Sequence, residues 1–182
     1  MKTSKKINSN IAFQKWIAVA GVILFAGKLV AWKLTNSDAV FSDAMESIVN
    51  VISAFLGLYS LYLAAKPKDE NHPYGHGKVE FVTSAIEGSL ISIAGVLIIY
   101  EGTNSLISGK VLSKLDLGIW IIAATAVINY VIGYISIQKG KKENSIVLIA
   151  SGKHLQSDTI TTLGVVVSLG LVYFTKIVWI DS

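Results

Sequence analysis

The chain has no cysteine, only two prolines and three histidines in 182 residues, and just 15% charged residues. Without cysteine there are no disulfides, thiolate metal sites or cysteine nucleophiles, so any metal must be held by oxygen and nitrogen donors. Arginine is also missing: the 16 basic residues are all lysines, and the net charge is +4. Scarce charge beside 52% hydrophobic residues excludes an ordinary soluble domain and a nucleic-acid binder. What remains is an all-α polytopic membrane helix bundle whose first partner is the lipid bilayer.

Five apolar stretches are long enough to span, over residues 16–33, 39–65, 81–107, 117–137 and 145–174. The first has Trp16 and Trp32 at its edges, as interfacial anchoring predicts, and no small-residue cleavage site, so it reads as a retained span. Lys28 within it is expected to snorkel outward with Lys33. The second opens on Asp43, Glu46, Ser47 and Asn50, one helical stripe continued by Ser53, Gly57 and Ser60. The third carries Ser84, Gly88 and Gly95 on a small-residue face, and Glu87 and Glu101 near its ends, carboxylates that need partners. The fourth has Asn129 as its one strong hydrogen-bonding side chain and reads as packing. For the fifth, a start near Ser145 puts Asp158 close to mid-span, at the depth of Asn50, although Gly152 weakens the helix locally.

Orientation follows from lysine placement. Lys2, Lys5, Lys6 and Lys15 precede or open the first span, Lys66, Lys68 and Lys78 follow the second, and Lys139, Lys141 and Lys142 follow the fourth. The positive-inside rule places these segments, and the N-terminus, in the cytoplasm.

Ionisable residues inside a membrane are costly and mark function when they face the bundle interior. His154 and Asp158 are four apart, offset by about 40° and roughly 6 Å on a helix, so they share a face. Such a pair is either a hydrogen bond that locks two helices or half of an ion site. Antiparallel packing brings it toward Glu46 and Asn50, giving four ligands with a formal charge that balances one divalent cation. The oxygen and nitrogen donors suit Zn, Fe or Mn, and histidine can trade a proton for the metal. Interhelical hydrogen bonding is the other reading of Glu46 and Asn50. Asp43, nearer the outer interface, is either a further ligand or a residue that caps and orients the second helix. Asp69, His72 and His76, spaced three and four apart in the connection that holds both prolines, form either a cytoplasmic metal site or a self-bonded polar loop. No serine or cysteine nucleophile motif or metalloprotease helix accompanies them, so an enzyme is not expected.

Four stretches resemble the cation diffusion facilitators, membrane exporters of divalent metals driven by protons. Ser42-Asp43-Ala44-Met45-Glu46-Ser47-Ile48-Val49-Asn50 is similar to their second-span motif, and Asn71 to Lys78 with Glu80 to their loop signature. His154 to Asp158 matches their fifth-span ligand pair, and Trp179-Ile180-Asp181 looks like the approach to a sixth span. The resemblance implies a transport site of Glu46, Asn50, His154 and Asp158, a secondary loop site of Asp69, His72 and His76, protons as counter-ion, a homodimer and alternating access, at the plasma membrane. It further implies a sixth span and a cytoplasmic C-terminal domain, both expected to be absent from 1–182. Glu46 and Asn50 depart from the Asp or His and the Asp usual in the family, which bears on metal choice. The competing expectation is a non-transporting scaffold or partner subunit derived from such a transporter.

Overall fold

The computed structural model describes residues 2–68, 70, 73–105 and 114–181. Five long helices account for most of them: α1 Lys2–Thr35, α2 Asp38–Ala64, α3 Val79–Ser105, α4 Leu115–Glu143 and α5 Ile146–Thr175, followed by a short 3-10 turn, Val178–Asp181. All five contain stretches long and apolar enough to cross a membrane. α1 begins well before Trp16, and the third span's expected end at 107 lies outside the described residues, as do Asp69, His72 and the side chain of Glu101.

The helix ends follow local chemistry. α1, α4 and α5 stop at Asn36, Asn144 and Lys176, each in the left-handed region with φ of 55°, 50° and 61°. Asparagine tolerates this conformation, and its N–H closes the last turn, as Asn36 N–H does on the Trp32 carbonyl at 2.8 Å. Ser37 caps α2 by accepting the Val40 N–H at 3.0 Å. Its hydroxyl donates to Asp181 Oδ1 at 2.6 Å, while Asp38 N–H donates to Asp181 Oδ2 at 2.8 Å. A carboxylate from beyond α5 therefore completes the cap of α2. At the opposite end Glu80 of α3 serves the start of α5, accepting from Ser145 Oγ at 2.9 Å and Val147 N–H at 3.4 Å.

Helices α1, α2, α4 and α5 form the packed body, and α3 lies outside against α2 and α5. α4 and α5 approach at glycines: a Cβ on Gly133 would meet the Gly152 carbonyl oxygen at 2.8 Å, and one on Gly152 would meet the Gly133 oxygen at 2.8 Å. Gly152, which weakens its helix by propensity, is thus repaid in backbone proximity.

Two apolar clusters form the core. One, toward the lysine-rich connections, contains Ile11, Ile17, Ala54, Leu61, Leu148 and Leu155; the other, toward the opposite end, contains Ala31, Val40, Ile122 and Leu169. Between them along α1, α2, α4 and α5 runs a layer of buried polar side chains.

Candidate metal centre

The part of this layer farther from the lysine-rich connections is built by four helices. Asp43 and Glu46 on α2 and Asp158 on α5 each offer a carboxylate oxygen, and the three oxygens lie within 4.8 Å of one another. Asp43 and Asp158 are buried and Glu46 is half-buried. Lys28 of α1, fully buried at 0% exposure, donates from Nζ to Asp43 Oδ1 at 2.9 Å, Asp158 Oδ2 at 3.4 Å and Thr162 Oγ1 at 3.3 Å. The Thr162 hydroxyl stands 2.7 Å from Asp43 Oδ1. Asn129 of α4 donates its amide to Asp158 Oδ2, and the Thr161 hydroxyl lies 3.1 Å from Glu46 Oε2.

Three carboxylates and one ammonium carry a formal charge of −2. Asp43 Oδ2 and Asp158 Oδ1 are buried and have no hydrogen-bond partner among the described residues. Such oxygens are costly in a membrane interior unless they receive a cation or a proton. The donor set therefore fits one divalent cation by charge, and by its free lone pairs.

Four of these placements differ from the sequence expectation or add to it. Lys28 does not snorkel outward but turns inward onto two carboxylates. Asp43 does not cap α2, a role that Ser37 and Asp181 take, but sits inside the polar layer. Asn129 is more than packing, because it holds Asp158. Thr162 joins the cluster as well.

The structure divides the four residues expected to form one site. Asp158 and Glu46 belong to the carboxylate cluster, whereas His154 and Asn50 line a separate small void with Ser53, Glu87 and Ser151. Both ring nitrogens of His154 and Oδ1 of Asn50 are buried there, with no hydrogen-bond partner among the described residues. Of the loop trio, only His76 is among the described residues. It is half-buried, and its carbonyl accepts the Val79 N–H at 3.1 Å, which opens α3.

Depth and register contain the signal for Lys28. It is seven residues, about 10 Å of helix, from the end of α1 at Thr35, beyond the reach of a lysine stem. It also falls on the seam of Gln14, Ala31 and Thr35, all at 0% exposure. Asn129 likewise lies on the stripe Gly118, Ile122, Thr125, Asn129, Gly133, Ser136, Gly140, whose three- and four-residue spacing marks the buried face of α4.

Residues 15–182 match the cation efflux transmembrane domain family. An uncharacterized transporter of Synechocystis sp., sll1263, is 40% identical over 154 residues, covering 85% of this chain and 50% of that protein. The manganese efflux system protein MneP of Bacillus subtilis is 33% identical over 149 residues, with 80% and 48% covered, and MneS of the same organism is 27% identical over 163 residues, with 90% and 56% covered. The chain thus spans about half the length of the curated relatives it matches. With five apolar helices enclosing a polar layer, and a family match over nearly all of its residues, the chain belongs to the cation efflux family, the cation diffusion facilitators, whose members are metal-cation transporters.

Proposed function

We propose that residues 1–182 act as the transport domain of an exporter that moves a divalent transition metal out of the cytoplasm in exchange for protons. The carrying observation is the carboxylate cluster of Asp43, Glu46 and Asp158 held between two apolar seals. Its formal −2 charge is neutralised by one divalent cation or by protons, so emptying the centre of metal favours loading it with protons. That is the requirement for exchange.

Within the class of Zn, Fe and Mn, the all-oxygen donor set favours Mn2+, because His154 lies outside the cluster and hard oxygen donors suit manganese. Two of the relatives are named manganese efflux proteins, in keeping with this reading. The lysine-rich connections and N-terminus face the cytoplasm, the protein works at the plasma membrane, and it does so as a homodimer. Asn50 and His154 ligate metal at another stage of transport, and Asp69, His72 and His76 form the cytoplasmic loop site.

Mn2+ flux into proteoliposomes carrying a pH gradient tests this. The wild-type protein accumulates Mn2+ and Asp158→Asn does not; equal flux in both would sink the assignment of Asp158.

One observation favours a second reading. Lys28 already bridges Asp43 and Asp158, so the cluster can hold α1, α2 and α5 together with no metal, as a non-transporting scaffold would use it. Saturable Mn2+ binding in detergent separates the two, since a scaffold binds none.

A further inference from the structure

The polar layer contains a second group of unpaired side chains that the carboxylate cluster does not use. Glu87 of α3 is 2% exposed, and its carboxylate faces the Ser151 hydroxyl but has no closer hydrogen-bond partner among the described residues. It lines one void with Asn50 and Ser53 of α2 and Ser151 and His154 of α5. Asn50 Oδ1, both His154 nitrogens and the Ser53 hydroxyl have no hydrogen-bond partner among the described residues. Glu87 and His154 each lie eight residues past their helix starts at Val79 and Ile146, so both stand about 12 Å in from the lysine-rich end.

The void leaves about 10 Å³ for the centre of a water-sized sphere, room for one water or one small ion. Its chemistry discriminates between them. Asn50 Oδ1, two Glu87 oxygens and one nitrogen of a neutral His154 are acceptors, and although the Ser53 and Ser151 hydroxyls can donate to them, neither those hydroxyls nor a water offsets the charge of the buried carboxylate. A cation engages all of them at once.

We propose that Glu87, Asn50 and His154 form a second divalent-cation position, one helical turn inward of the Asp43–Glu46–Asp158 centre, from which the ion passes outward. The proposal rests on the export reading above and adds a third helix, α3, to the pathway. With one carboxylate against the outer centre's net −2, the inner position binds more weakly, as a staging position must if the ion is to leave it. His154 and Asp158 are separated by roughly 6 Å along α5, so the transfer needs only a short displacement.

Equilibrium Mn2+ binding to the purified full chain in detergent, counted by electron paramagnetic resonance of free Mn2+, tests it. The wild-type protein is expected to bind one equivalent tightly and one weakly. Glu87→Gln loses the weak equivalent and keeps the tight one, and Glu87→Asp retains both with the weak one weakened further, which also covers a folding failure of the glutamine variant. Full stoichiometry and affinity in Glu87→Gln, or a wild-type protein that binds a single equivalent indifferent to Glu87, overturns the proposal. Asp158→Asn is the separating arm. If it keeps the tight equivalent while Glu87→Gln loses the weak one, the outer centre is misassigned and the inner position stands.

Discussion

Replacing Lys28 by methionine keeps the length and volume of the side chain and removes the ammonium that pairs with Asp43 and Asp158. At 2.9 and 3.4 Å the two ion pairs have gross Coulomb energies of about 6 and 5 kcal/mol at an effective dielectric of about 20. Desolvation of the ammonium and both carboxylates cancels much of this, and breaking one partner out of a buried pair leaves a net loss of about 3–5 kcal/mol. Metal-free Lys28→Met should therefore melt well below the wild-type protein. Mn2+ binding should move the other way. The cluster goes from −2 to −3, no ammonium repels the incoming ion, and relief of about 3 kcal/mol corresponds to roughly 150-fold in affinity. Protons captured by the freed carboxylates take back part of this, leaving a gain of about 10- to 100-fold that shrinks as the pH is lowered. Melting curves with and without Mn2+, together with a binding isotherm, check both halves. A variant that is unaltered in metal-free stability and binds Mn2+ no tighter would show that Lys28 is not the counter-ion of this centre. Lys28→Arg, which keeps the charge, should bind Mn2+ more weakly than Lys28→Met.

Three further outcomes follow from the packing and the caps. Gly133→Ala should cost about 1–3 kcal/mol and loosen Mn2+ binding, because its Cβ would lie 2.8 Å from a backbone oxygen that cannot move aside. Gly164→Ala, with nothing within 4 Å of the new Cβ, serves as the control and should be neutral or slightly stabilising in the same melting assay. Burial pushes the Asp181 carboxyl above its ordinary range, against the hydrogen bonds from Ser37 and Asp38 N–H. A raised carboxyl pKa means stability is greatest where Asp181 is protonated in both states and falls as the pH rises through its folded value. Melting temperature against pH should therefore slope downward more steeply in the wild-type protein than in Asp181→Asn, and parallel curves would remove Asp181 as the source. Because the chain has no cysteine, single cysteines at Lys68 and Lys142 can be tested with a membrane-impermeant maleimide: neither should react in intact cells, while one at Asn36 should.

The architecture was legible because it rests on quantities a sequence carries directly. Five apolar runs of spanning length, broken by lysine-bearing polar segments, have no soluble solution, and backbone hydrogen bonding in lipid leaves helices as the outcome. Glu46 and Asp158 were legible as candidates, since carboxylates that interrupt apolar helices are either functional or excluded from the membrane, whereas the sequence left Asp43 between a ligand and a helix cap. Lys28 was not, because a hydropathy profile reports that a lysine lies in a span but not on which side of the helix. Its burial depends on Asp43 and Asp158, both distant in sequence, being there to receive it.

His154 and Asp158 show where spacing stops being informative. Two side chains one turn apart share a face of α5, but a face is not a cavity: Asp158 meets Lys28 and Asn129, from α1 and α4, while His154 meets the void that Asn50 and Glu87 line from α2 and α3. The angular difference of about 40° between positions four apart is enough to aim them at different neighbours when four helices converge on one. The same geometry gives the division its mechanical meaning. A small rotation of α5, with the glycine contact of Gly133 and Gly152 as pivot, would turn His154 toward the carboxylates or Asp158 toward the void. Such a motion would regroup the four residues expected from sequence without unfolding any helix.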